Sequence, residues 1–127
     1  MICVDSSALL AIVLDEPKAH QCREALRGRT DLIISAATLA EVLIVGDGRG
    51  VAAELSDLVE SAGMRVVEVT KASAIGVAAA YRTWGRGHHP ARLNYGDCFA
   101  YELASRHHCP LLFVGDDFSK TDIKSVL

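Results

Sequence analysis

The apolar positions of this chain fall into short runs set between longer stripes of helical spacing. Ile2-Cys3-Val4, Leu32-Ile33-Ile34, the alternating stretch Arg65 to Val69, and Pro110 to Val114 read as four strands. Asp5-Ser6-Ser7 stops the first of them, and Ala8 to Leu14 follows as a helix. Pro17 suits a first helical turn and opens a second helix that ends near Gly28. A third runs from about Thr38 to Val45 and is broken by Gly46-Asp47-Gly48-Arg49-Gly50. Val51 to Ala62 resumes helically, with Gly63 as its C-terminal cap. Ala74, Val77, Ala78 and Tyr81 recur at helical spacing, so Lys71 to Trp84 is a further helix, followed by a loop from Gly85 to Arg92. Asn94 to His108 is the last, with Ala100, Leu103, Ala104 and His107 on one stripe. Strands that alternate with helices predict an α/β fold, a parallel sheet with helices on both faces. No repeat, linker or low-complexity segment divides residues 1–127, which read as a single domain.

That fold class directs attention to the residues just after each strand, because open α/β sheets bind ligands beyond the carboxyl ends of their strands. Asp5 follows the first strand directly, and Asp116 and Asp117 follow the last one beyond Gly115. Two further acids arrive on helices. Glu41 is the only charged residue between Asp31 and Asp47, in a helix apolar enough to be buried almost all round. Asp97 lies on the apolar stripe of the last helix, at the N-terminal end where free N–H groups and the helix dipole favour a carboxylate. Each acid also has a plain structural role open to it. Asp5 fits an N-cap, Thr38 and Glu41 match a capping box, and Asp97 fits a first-turn acid.

Composition narrows the field. With 50% hydrophobic residues the chain is neither disordered nor fibrous, and no apolar stretch reaches the roughly 20 residues of a membrane span. The apolar N-terminus lacks a basic leader and is interrupted by Asp5, so it reads as strand and helix, and the protein as cytoplasmic. Cys3, Cys22, Cys98 and Cys109 form no zinc-ligand ladder, and neither His88-His89 nor His107-His108 belongs to an HExxH pattern. The net charge is −3, yet Val69 to Gly96 holds no acid while Lys71, Arg82, Arg86 and Arg92 contribute +4. A basic face on an acidic chain suits phosphate binding as well as it suits a solvated loop.

Several carboxylates gathered at one sheet edge repel one another unless a cation neutralises them. Mg²⁺ or Mn²⁺ prefers oxygen ligands and keeps several waters, so two or three acids suffice, and such a site can activate water against a phosphodiester. The motif order then becomes informative. Val4-Asp5-Ser6-Ser7-Ala8-Leu9, Glu41, Asn94-Tyr95-Gly96-Asp97-Cys98 and Leu111-Leu112-Phe113-Val114-Gly115-Asp116-Asp117-Phe118 together resemble PIN-domain proteins, and within them the VapC-type toxins of bacterial toxin–antitoxin pairs. The resemblance implies a single PIN-like domain, a Mg²⁺- or Mn²⁺-dependent endoribonuclease, an RNA substrate, a VapB-type antitoxin and a homodimer. It matches Asp5, Glu41 and Asp97 to the first three family acids, with Asp5 and Asp97 as metal ligands. Ser7 matches the small residue that hydrogen-bonds within the acidic cluster. Where many relatives place the fourth acid, three residues before a Phe, this chain has Gly115, so Asp117, beside Phe118, is favoured over Asp116.

Two rivals compete with this reading. A phosphatase of the haloacid dehalogenase kind needs a second Asp two residues after the first, and that position is Ser7. A non-catalytic RNA- or protein-binding domain would use the same acids only as helix caps.

Overall fold

Ile2–Val4 (β1), Leu32–Ser35 (β2), Arg65–Val67 (β3) and Leu111–Leu112 (β4) pair as one parallel sheet in the order β3-β2-β1-β4. The structure is a computed structural model and describes residues 1–127. Six helices complete it: Ser6–Val13 (α1), Ala19–Leu26 (α2), Ala36–Arg49 (α3), Ala52–Ser61 (α4), Lys71–Trp84 (α5) and Tyr95–Arg106 (α6). Alternation along the strands divides the core in two. Ile2, Val4, Leu32, Ile34 and Leu112 pack with α1, α2, α3 and α4, while Cys3, Ile33, Leu111 and Phe113 pack with α5 and α6. All four cysteines are buried free thiols.

The strand order places a switch point between β1 and β4. From β1 the chain builds outward to β2 and β3, then returns through α5 and α6 to add β4 on the other side. The carboxyl ends of β1 and β4 therefore open onto the crevice where α/β sheets bind ligands. Both the Asp5 turn and the Gly115-Asp116-Asp117 turn lie there.

The elements follow the periodicity, but several boundaries differ: the third strand stops at Val67, the last strand is only Leu111–Leu112, and the last helix ends at Arg106. α1 begins at Ser6, two residues earlier than expected, because the Asp5 side chain caps it by accepting the Ser7 N–H. Pro17 does not open the second helix; α2 begins at Ala19 after Lys18, whose side chain makes no cap. The glycines at 46 to 50 do not break α3, which runs to Arg49 and ends at Gly50. Gly46 is needed inside that helix for packing, since a Cβ there would meet Ala52 Cα at 3.2 Å as α4 crosses.

Two expectations about α3 fail together. Its N-cap is Ser35, whose hydroxyl accepts the Ala37 N–H at 3.2 Å, so Thr38 sits inside the first turn and forms no capping box with Glu41. Thr38 is instead buried, with its Oγ1 left without a hydrogen-bond partner. Nor is the helix buried all round. It buries only Thr38, Val42 and Gly46 fully, and Ile44 is 71% exposed beside exposed Val45. A lone chain leaves one apolar face of α3 in water.

Candidate active site

Asp5 anchors the site. It is 4% exposed, and its Oδ2 accepts both the Ser7 N–H at 3.1 Å and the Ser7 hydroxyl at 2.6 Å. The same hydroxyl accepts the N–H of Val114 at 3.0 Å. Ser7 thus joins the end of β1 to the chain leaving β4, across the switch point. Burial raises the Asp5 pKa, the Ser7 hydrogen bonds oppose it, and the nearby Glu41 charge adds to it.

Glu41 reaches the same place from α3. It is half-buried, and its Oε1 accepts the Ser6 hydroxyl at 2.8 Å. Its other oxygen lies against the backbone of Gly96, in the first turn of α6. Two helices distant in sequence therefore meet α1 through one carboxylate. Ser6 escaped notice in the sequence because its partner lies 35 residues away, and only the adjacent Ser7 carried a local signal.

Asp97 closes the group from α6. Asn94 caps that helix by accepting the Asp97 N–H at 2.8 Å, and Asp97 Oδ2 accepts the Asn94 N–H at 3.0 Å in return. Asp97, like Asp5, is thus both part of a helix cap and a neighbour of the other acids. The cap holds the Asp97 carboxylate at a fixed end of the helix. Burial pushes its pKa up to about 7, the hydrogen bond from Asn94 opposes this, and the charges of Asp117, Asp5 and Glu41 add to it. Those influences put Asp117, Asp5 and Glu41 within electrostatic reach of Asp97.

The fourth acid sits in the turn after β4, where both Asp116 and Asp117 are exposed. Asp117 is the largest of the charge influences on Asp97, ahead of Asp5 and Glu41. Asp116 serves the turn through its carbonyl, which accepts the Ser119 N–H at 3.1 Å and the Ser119 hydroxyl at 2.7 Å. Phe118 pins the segment in the core, 5.1 Å from the ring of Phe113.

No three acid, histidine or cysteine side chains close tightly enough to cage a metal by themselves. The donor set is all oxygen, and the carboxylates are held by Ser6, Ser7 and Asn94 rather than by cationic side chains. That combination fits a hard divalent cation with two protein ligands and several waters better than it fits zinc, which favours nitrogen and sulfur donors.

Comparison with known proteins agrees with this geometry. The PIN domain family matches residues 2–124. The chain belongs to the PIN-domain family. Among its relatives, ribonuclease VapC30 of Mycobacterium tuberculosis is 40% identical over 97% of this chain and 96% of its own length. The VapC ribonuclease of Mycolicibacterium smegmatis is 39% identical over 97% and 98%. Among solved structures, VapC20 of Mycobacterium tuberculosis, a toxin that cleaves the sarcin-ricin loop, superposes with a TM-score of 0.80 at 17% identity, over 99% and 98% of the two chains. A toxin–antitoxin complex from Klebsiella pneumoniae gives 0.72, also at 17% identity, over 96% and 93%.

Next to the acids, this PIN domain carries two open grooves. The larger, about 730 Å³, lies between α5 and α6 and is bordered by Tyr81, Tyr95, Phe99, Arg82 and Arg86. The smaller, about 370 Å³, runs from Glu41 along Ile44 and Val45 to Tyr95 and Phe99. Tyr95 belongs to both and is 75% exposed. No helix of the chain is long and apolar enough to cross a membrane.

Proposed function

We propose that residues 1–127 work as one PIN-like domain that hydrolyses RNA phosphodiester bonds with Mg²⁺ or Mn²⁺, as the toxin of a toxin–antitoxin pair. The observation that carries the reading is that Ser7, Ser6 and Asn94 hold the carboxylates of Asp5, Glu41 and Asp97, with the Asp117 charge acting on Asp97, in a chain 40% identical to a VapC ribonuclease. Asp5 and Asp97 would hold the cation. When bound, it polarises the phosphodiester and makes a water more acidic. Glu41 and Asp117 would orient that water and accept its proton, acting through hydrogen bonds. Ser7 would keep Asp5 ionised and aimed, since a hydroxyl donating at 2.6 Å favours the charged carboxylate.

The α5–α6 groove supports an RNA substrate. Arg82 and Arg86 can neutralise phosphates, while Tyr81, Tyr95 and Phe99 offer faces on which bases stack. The exposed apolar face of α3 supports a homodimer, in which a second copy covers Ile44 and Val45. A VapB-type antitoxin would bring a Lys or Arg to the acids together with apolar anchors. The protein would act in the cytoplasm.

The test is cleavage of RNA by the purified protein with Mg²⁺, Mn²⁺ or EDTA. Activity should depend on the metal and fall by orders of magnitude in Asp97→Asn, which keeps the shape of the side chain. Full cleavage in excess chelator would overturn the metal-dependent reading.

A further inference from the structure

We propose that Gly96 and Ser6 are positioning residues that seat the Glu41 carboxylate, an inference that rests on the metal-dependent reading of the acids. Gly96 occupies the second position of α6, a place where an L-residue is sterically ordinary and alanine is the better helix former. Nothing about its backbone asks for glycine. What asks for it is the space: a Cβ on Gly96 would run into Glu41 Oε2, and would stand 2.9 Å from Glu41 Cδ and 3.4 Å from Oε1. The carboxylate fills the volume that every other residue would occupy with its own side chain. Ser6 holds the opposite oxygen at 2.8 Å. One side of the seat is a donor and the other is an absence, and together they fix Glu41 beside the N-terminal turn that carries Asp97. A carboxylate is also favoured there by the helix dipole.

The atoms in conflict decide what a substitution does. They are the far end of a flexible side chain, so Gly96→Ala leaves the fold intact and turns Glu41 away. Gly76 provides the contrast. A Cβ there would meet Glu102 Cγ at 2.9 Å and Oε1 at 3.2 Å, a similar approach between α5 and α6, but away from the four acids. Gly76→Ala therefore reports the cost of crowding a glutamate elsewhere, including any disturbance of the Glu102–Arg106 ion pair.

The experiment measures Mn²⁺ affinity by electron paramagnetic resonance, and thermal stability in EDTA, for the wild type and its variants. Gly96→Ala should bind Mn²⁺ at least about fivefold more weakly while melting within about two degrees of the wild type or above it. Ser6→Ala should weaken binding in the same direction by a smaller factor. Gly76→Ala should bind Mn²⁺ like the wild type. Glu41→Ala should bind weakly, and adding Gly96→Ala to it should change nothing further. If Glu41→Ala is weak and Gly96→Ala binds normally, the seat is refuted and the metal reading stands. It is equally refuted if Gly96→Ala weakens binding as much with Glu41 absent as with it present. A Glu41→Ala variant that binds Mn²⁺ as tightly as the wild type refutes the seat and leaves Asp5 and Asp97 as ligands, whereas a wild type that binds no Mn²⁺, or binds it equally well as Asp5→Asn and Asp97→Asn, overturns the reading of the site and the seat with it.

Discussion

The backbone N–H of Val114 donates to the Ser7 hydroxyl at 3.0 Å, although the two residues lie 107 positions apart. Because that hydroxyl also donates to Asp5, one oxygen decides both how β1 meets the chain beyond β4 and how the Asp5 carboxylate is held. Ser7→Ala leaves the Val114 N–H without a partner and strips Asp5 of its shortest hydrogen bond. The expected cost is about 1–3 kcal/mol of stability. Cleavage should fall as well, most at acidic pH, where a less supported Asp5 takes up a proton. Denaturant melts and a pH–rate profile check this; a Ser7→Ala protein with wild-type stability and an unchanged profile would contradict it.

Asp97 links pH to metal. With its pKa pushed up to about 7 in the metal-free fold, against 3.8 for an ordinary Asp, the folded state holds a proton that the unfolded chain has released between those values. Stability from this residue is therefore greatest at low pH and declines as pH rises toward 7. In EDTA, Asp97→Asn should melt a few degrees above the wild type at pH 8 and close to it at pH 4. Mg²⁺ should raise the melting point of the wild type at pH 8, have little effect at pH 5, and do nothing for the variant. A wild type whose response to Mg²⁺ is the same at both pH values would refute this linkage.

The two acids after Gly115 should separate by function. Asp117→Asn is expected to lower cleavage more than Asp116→Asn, and both less than Asp97→Asn. Removing the Asp117 charge should also let Asp97 ionise at lower pH, moving the acidic limb of metal binding downward. If Asp116→Asn proves the more damaging, the assignment is off by one residue.

The apolar face of α3 yields a prediction about assembly. Ile44→Glu places a charge on a side chain that a lone chain exposes, so the monomer should fold normally. Self-association at micromolar concentration should be lost, as read by sedimentation velocity. A wild type that sediments only as a monomer would count against the homodimer.

How much of this was written in the sequence depends on the reach of each interaction. Asp5 and Asp97 were legible because their placements are local: one follows a strand, the other stands in a first helical turn, and both caps are formed within three residues. Glu41 could be singled out as a lone charge, but not its partners, since Ser6 and Gly96 reach it through tertiary contacts. The same limit explains the misplaced start of α3. Thr38 and Glu41 have the spacing of a capping box, yet Ser35 caps first, because β2 ends there and the chain must turn at once. Gly46 looked like a breaker for want of any view of α4 crossing over it. The exposure of Ile44 is not legible either, because an apolar helix has the same pattern whether its own chain or a second copy covers it.

The bond between Ser7 and Val114 also sets an order of events at the ribosome. Asp5 and Ser7 are made about a hundred residues before β4 and the turn beyond it. Until that strand is made and docks beside β1, the Ser7 hydroxyl lacks the Val114 N–H that it accepts in the fold. On the proposed reading, a chain that has not yet made β4 lacks a complete site for RNA, because the switch point exists only once that strand lies beside β1.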